Sequence, residues 1–280
     1  MYNYLMAYFD EGPGYLLLIV MTLSIISCFF VGLLTENYSQ VDKLWSLLPP
    51  IYCLITLFYG PITLRMMIMT LIVVMWGLRL SYNFYRKGGY KWSSEDYRWP
   101  ELKKTITNRI VFELFNLTFI SIFQNILLLL IASPIYYTWK HYQTTPLNGW
   151  DYIATILFLL FLIGEMLADE QQWNFHLKKH QQIAKQTKST SNTNDGFLSE
   201  GLFYYSRHPN FFCEICIWWS FYLFSHSFFN WTISGPILLT LLFQGSTKFT
   251  EAISSQKYPR YKQYQKTTAK LIPWFPKRNR

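Results

Sequence analysis

Charged residues are scarce in this chain: 15% of 280 residues, against 51% hydrophobic and 20% aromatic. A soluble domain is normally about a quarter charged, so an ordinary soluble globular protein is excluded. Cysteines are few as well. Cys28, Cys53, Cys213 and Cys216 all lie in or beside apolar runs, which fits neither a secreted disulfide framework nor a zinc site. Cys213 and Cys216 have CxxC spacing, but without a βαβ context packing between membrane helices is the better account. There is no glycine-rich phosphate-binding turn and no internal repeat. No basic n-region precedes the first apolar run, where Asp10 and Glu11 stand instead, so a cleaved signal peptide is not expected.

What the chain has in quantity is apolar length. Several runs exceed the roughly 18 residues needed to cross a bilayer. We read an all-α, polytopic membrane protein with about seven transmembrane helices, at 15–34, 44–60, 66–85, 110–136, 149–168, 211–226 and 229–246. Pro49-Pro50 interrupts the second span, and the sixth and seventh are short enough to form a hairpin or tilted pair.

The cations orient these spans. With the N-terminus outside, Lys43, the seven cations from Arg86 to Arg109, the set Lys178, Lys179, Lys185, Lys188 and Arg207, and nine more from Lys248 to Arg280 are all inside. Lys140 alone falls in an outside loop, while Arg65 and Arg79 lie within the third span. An odd number of crossings and a cytosolic C-terminus follow from the positive-inside rule. The net charge of +9 therefore reflects topology and attraction to membrane lipids or an anionic cofactor, with no nucleic acid implied.

Segment 180–200 is polar and Gln-, Ser-, Thr- and Asn-rich, reading as a flexible loop that is either disordered or closes over a ligand. The tail over 247–280 interleaves aromatics with cations, which a solvated tail does not need, so it is expected to fold back.

The densest chemistry lies at Gly201–Glu214, where Arg207, His208, Asn210 and Glu214 lead into an apolar helix. A carboxylate at membrane depth is a functional hypothesis by default. The blander reading makes Arg207 and His208 headgroup anchors and the tyrosines an aromatic belt, but it leaves Glu214 unexplained. Asp169 and Gln172 share a helix face, Lys178 and Lys179 follow, and Glu251, Tyr258, Tyr261 and Tyr264 come after the last span. Cations and hydroxyls suit phosphate, aromatics suit a flat ring, and Asn and Glu suit an amide or ribose, the inventory a nucleotide cofactor requires. A second polar set holds Asp42, Arg79, Tyr82 and Tyr85. Asp42 and Arg79 sit at comparable depth, either as a structural ion pair or beside a catalytic acid.

GLFYYSRHPNFFCEI, GEMLADEQQW and KYPRYKQYQKTTAKLIPWFP, with QVDKLWS and WGLRLSYNFYRKGGY, resemble the steroid 5α-reductase-like superfamily, and within it the DUF1295 branch. The resemblance covers most of 38–276, leaving 1–37 outside its main part, and implies a single membrane domain over 1–280. It implies seven-span reductases that use NADPH to reduce a carbon–carbon double bond conjugated to a carbonyl, in steroids or other lipids. Asn210 and Glu214 would bind the nicotinamide half. Asp169, Gln172, Lys178, Tyr205, Arg207, His208 and the terminal tyrosines would handle ribose, adenine and phosphates, with Glu251 in the same set. The steroid reductases polarise the substrate carbonyl with a Glu and a Tyr. The corresponding places here hold Asp42 and Trp76, and a Trp has no phenolic proton. Cys213 stands where the family has Gly.

The expected catalytic set is Asp42, Arg79 and Tyr82, with the acid either Asp42 or a nearby Tyr82 or Tyr85. Burial would raise the Asp42 pKa and Arg79 would lower it. Two other classes remain in view. One is an S-adenosylmethionine-dependent membrane methyltransferase of the isoprenylcysteine type, whose paired-Glu element is Thr250-Glu251-Ala252 here. The other is a lipid-binding protein without catalysis. The expected compartment is the endoplasmic reticulum, or the inner membrane in a bacterium.

Overall fold

A helix that is apolar on all sides has no face to hide, and the first one leaves Leu23, Ile26 and Phe30 exposed. A computed structural model describes residues 12–184 and 195–277; of the expected 180–200 loop, 180–184 continue a helix and 185–194 lie outside the described residues, as does the start of the chain. The described residues are all helical apart from turns, with a single isolated bridge between Ser206 and Ala269. Four helices are long and apolar enough to cross a membrane: Gly14–Thr35, Leu64–Arg86, Arg109–Ala132 and Gly149–Gln182, with Leu48–Tyr59 a shorter apolar helix.

The chain divides into two compact units. The first comprises Met1–Ile156 with Trp218–Leu239, the second Leu157–Ile217 with Thr240–Arg280.

In the first unit, α1 (Gly14–Thr35) is followed by the short α2 (Gln40–Leu44) and by α3 (Leu48–Tyr59). Pro49 and Pro50 begin α3 instead of interrupting a span: both fall in its first turn, where an amide has no helical acceptor to lose. The expected span 44–60 is thus a 12-residue helix. Thr63 caps α4 (Leu64–Arg86) by accepting from the Met66 amide at 3.3 Å. After α5 (Arg98–Thr105), α6 (Arg109–Phe115) runs through a π-helical segment, Asn116–Phe123, into α7 (Gln124–Ala132). Ser133-Pro134 then starts α8 (Pro134–His141), so the expected span 110–136 ends four residues early.

Small residues set the closest crossings, as membrane helices require. A Cβ on Gly77 of α4 would lie 2.5 Å from Pro50 Cγ and 2.7 Å from the Ser46 carbonyl. Beside this contact Trp76, fully buried, meets Trp218 edge to face at 4.8 Å. A Cβ on Gly235 would lie 2.4 Å from the Leu130 carbonyl of α7.

One ion cluster is buried in this unit. Arg65 Nε and Nη2 donate to Asp151 at 2.8 and 2.9 Å, and its Nη1 donates to Thr145 Oγ1 at 2.6 Å. His226 Nε2 donates to Asp151 Oδ1 at 2.9 Å. Charges this deep persist only when paired, and here one carboxylate answers the Arg65 guanidinium and the His226 N–H.

α9 (Gly149–Ala184) has 36 residues, about 54 Å of helix, and its C-terminal part carries the polar face of the second unit. The rest of that unit is α10 (Leu202–Tyr205), most of α11 (Pro209–Tyr222), the C-terminal part of α12 (Ser234–Lys257), α13 (Tyr261–Thr267) and the tail. Gly164 of α9 faces Cys213 of α11, where a Cβ would lie 3.0 Å from the sulfur. The Cys213 thiol is therefore accommodated by a glycine opposite.

Candidate functional site

Gly201 opens the motif because no other residue fits. Its φ is +61°, and a Cβ there would meet Gln171 Oε1 at 2.5 Å. That same oxygen accepts from the Leu202 amide at 2.9 Å and so anchors α10 to α9. Sequence reading singled out Gln172, but its neighbour Gln171 makes this bond, while Gln172 is half-buried.

From α10 the chain turns at Ser206 and pairs with the tail. The Arg207 amide donates to the Ala269 carbonyl at 2.8 Å, Ser206 Oγ to the Leu271 carbonyl at 2.7 Å, and the Trp274 amide to the Tyr205 carbonyl at 2.9 Å. Tyr264 donates its hydroxyl to the Phe203 carbonyl. Phe197 gathers Tyr258, Tyr261 and Tyr264 around it, with ring centroids 5.9, 5.0 and 5.3 Å away. The tail is therefore packed by its aromatics as far as Tyr264, while Ile272, Trp274 and Phe275 stay exposed.

Arg207, His208 and Glu251 form one buried cluster. Arg207 Nε donates to Glu251 Oε1 at 2.7 Å and Nη2 to Oε2 at 3.1 Å, while Nη1 reaches the Gln265 and Thr268 carbonyls. His208 Nε2 lies 3.0 Å from Glu251 Oε1, so with a carboxylate accepting, that nitrogen carries the proton. Gln265 Nε2 adds a bond at 2.9 Å. Desolvation alone would raise the Glu251 carboxyl, but hydrogen bonds from His208, Arg207 and Gln265 outweigh it and hold the group down at about 2. Arg207, expected on phosphate, spends four of its five N–H donors on the chain itself. It joins the start of α11 to the tail.

The remaining expected residues of this unit divide by burial. Glu214 and Asp169 are buried at 4% exposure. Asn210 is half-buried, Tyr205 is 39% exposed, and Lys178 is exposed. Lys179 donates to the Gly196 carbonyl and to the Tyr258 hydroxyl, at 2.8 and 3.2 Å. One carboxylate was missed. Glu165, 5% exposed, lies one turn before Asp169 on the same helix face. Its signal was available, as a lone acid inside the apolar run before Ala168.

In the first unit, Asp42 Oδ2 accepts from Trp99 Nε1 at 3.0 Å, and the Arg98 guanidinium approaches Oδ1 at 3.8 Å. Burial pushes the Asp42 carboxyl up, against the opposing pull of Arg98. The cation acting on Asp42 is thus Arg98, supplied by α5, where Arg79 was expected. Arg79 is half-buried on α4. Tyr82 and Tyr85 are 64% and 70% exposed, and Arg86 stacks over the Tyr82 ring at 5.6 Å, so neither tyrosine is gathered with Asp42 in the core.

A fission yeast protein (Schizosaccharomyces pombe) described as uncharacterized is 41% identical over 257 residues, covering 87% of this chain and 74% of its own. No solved structure matches the chain. Residues 28–268 match the family described as "Protein of unknown function (DUF1295)". With α2, the α9 polar face, the motif of α10 and α11 and most of the tail all inside that match, the chain belongs to the DUF1295 family, the steroid 5α-reductase-like branch.

Proposed function

We propose that this protein is a membrane-embedded, NADPH-dependent reductase of a carbon–carbon double bond conjugated to a carbonyl in a lipid or steroid-like substrate. In this reading the chain crosses the membrane seven times with its C-terminus in the cytosol. In a eukaryotic cell it resides in the endoplasmic reticulum. The observation that carries the reading is Glu214, 4% exposed in the first turns of α11 and following a clamped Arg207-His208 pair. A carboxylate is retained at such a place when it has a ligand or partner to bind.

The donor set fits a dinucleotide at its ribose and nicotinamide side. Glu214 and Asp169 are buried acceptors for hydroxyl and amide protons, and Asn210 supplies both a donor and an acceptor beside them. Lys178 and the edge-exposed Tyr205 suit phosphate and adenine. Arg207, His208, Glu251 and Tyr264 serve this set indirectly, by fixing α11 and the tail. NADPH, when bound, supplies the hydride. Asp42 supplies the proton: its burial favours the neutral acid, and the Trp99 N–H fixes which oxygen faces away from that bond.

The test is a thermal shift of the detergent-purified protein with NADPH, NADH and S-adenosylmethionine. NADPH alone is expected to stabilise it, and Asn210→Ala and Glu214→Ala are each expected to abolish that shift. Stabilisation by S-adenosylmethionine instead would make the protein a methyltransferase. No response to any of the three would leave a lipid-binding protein.

A further inference from the structure

Hydroxyls inside the apolar helices of the first unit are mostly spent on their own backbone. Thr22, Ser24, Thr56 and Thr118 each donate to the carbonyl four residues back, all at 2.8 Å. Ser121 does not. Its Oγ has no hydrogen-bond partner among the described residues, and the same holds for the Tyr52 hydroxyl and for Asn125 Oδ1. All three residues are deeply buried, at 0%, 1% and 0% exposure. Asn116 Oδ1 and Thr70 Oγ1 of the same unit are orphaned as well. Buried polar atoms are overwhelmingly paired, so orphans concentrated in one helical core call for a ligand.

Tyr52, Ser121 and Asn125 belong together. α7 packs against α1, α3 and the π segment, and the three residues are buried on α3, the π segment and α7. Asn125 Nδ2 donates to the Ser121 carbonyl at 2.7 Å, which fixes the amide orientation and leaves Oδ1 as a pure acceptor. α1, which buries Cys28, packs against the π segment, α7 and α3. Ser121 sits in the π-helical stretch, where the widened turn re-aims side chains, a feature frequent at functional sites.

The chemistry of the orphans selects the ligand. Tyr52 and Ser121 can donate, whereas Asn125 Oδ1 can only accept. A carbonyl would answer the first two and leave the third unpaired. A hydroxyl can accept from Tyr52 or Ser121 and donate to Asn125. We propose that Tyr52, Ser121 and Asn125 form a hydrogen-bonding niche for the hydroxyl of an apolar alcohol. The niche assigns a ligand class to the lipid substrate of the reductase reading and depends on that reading only in making the ligand a substrate.

The experiment is equilibrium binding of radiolabelled 1-hexadecanol to the detergent-purified full chain, with competition by unlabelled 1-hexadecanol, its methyl ether and hexadecane. Saturable binding displaced by the alcohol but not by the ether or the alkane is expected. Tyr52→Phe should weaken it about two- to tenfold, and Ser121→Ala less. Since neither hydroxyl has a partner among the described residues, both variants should melt no lower than the parent without ligand. Equal competition by ether and alkane, or Tyr52→Phe that binds the alcohol normally and melts lower, would mean that the niche holds structural water and would overturn the proposal. The NADPH shift, measured on the same preparation, reports separately on the reductase reading.

Discussion

Glu251→Gln removes one charge and keeps the shape of the side chain. In the parent, Glu251 is 6% exposed and accepts from Arg207 twice, from His208 and from Gln265. Its carboxyl stands at about 2, against an ordinary 4.5. That depression corresponds to roughly 3 kcal/mol favouring the ionised, folded form. Breaking a buried pair by removing one partner costs about 3–5 kcal/mol by independent reasoning, so the two agree. The pH dependence has a definite sign. Because the folded-state pKa is depressed, the stabilisation is complete above 4.5 and disappears as pH falls through about 2. The variant lacks it throughout. Parent and variant should therefore differ by roughly 3 kcal/mol at neutral pH, equally at mildly acidic pH, and converge only toward the lower limit. Denaturant melts in detergent across that range measure the difference. Hydrogen exchange should locate it in residues 265–271, whose carbonyls Arg207 and Ser206 hold. A neutral-pH difference below about 1 kcal/mol, the range of an exposed ion pair, would refute the clamp.

Arg65→Met leaves Asp151 buried without its guanidinium partner and should destabilise the first unit by about 3–5 kcal/mol in the same melts. Adding Asp151→Leu should recover most of that loss, because an apolar pair carries no buried charge. Gly235→Ala drives a methyl against the Leu130 carbonyl, where the available distance is 2.4 Å, and should cost roughly 1–3 kcal/mol with lower yield of folded protein. Asp42→Asn should leave the NADPH thermal shift intact and reduce enone turnover by about 10²–10⁴-fold, as expected for loss of a general acid. Loss of cofactor binding in that variant would instead make Asp42 structural.

The sequence carried the fold to the extent that apolar length is local information. α1 and α4 are legible as runs, because a bilayer asks only for length and low charge. Pro49-Pro50 misleads on the same logic: a proline pair in an apolar stretch reads as an interruption, but at the first turn of a helix it breaks no bond. The π segment has no such signature: its residues are as apolar as those of the α-helices on either side. Residue type singled out Arg207, His208, Asn210 and Glu214 in the second unit, and the structure buries His208 and Glu214 and half-buries the other two. Type does not tell where a guanidinium sends its donors. Arg207 reads as a phosphate ligand until the tail delivers two carbonyls and Glu251 to it from 44 to 61 residues away. The same long-range closure replaced Arg79 with Arg98 beside Asp42. Three of the orphaned atoms of the first unit are the converse case. Tyr, Ser and Asn in apolar runs are ordinary residues, and only the packed core reveals that Thr56 and Thr118 have satisfied themselves while Tyr52, Ser121 and Asn125 have not. A binding site in a membrane core is therefore least visible where its residues are commonest, and hydrogen-bond bookkeeping on the folded chain is what separates them from their neighbours.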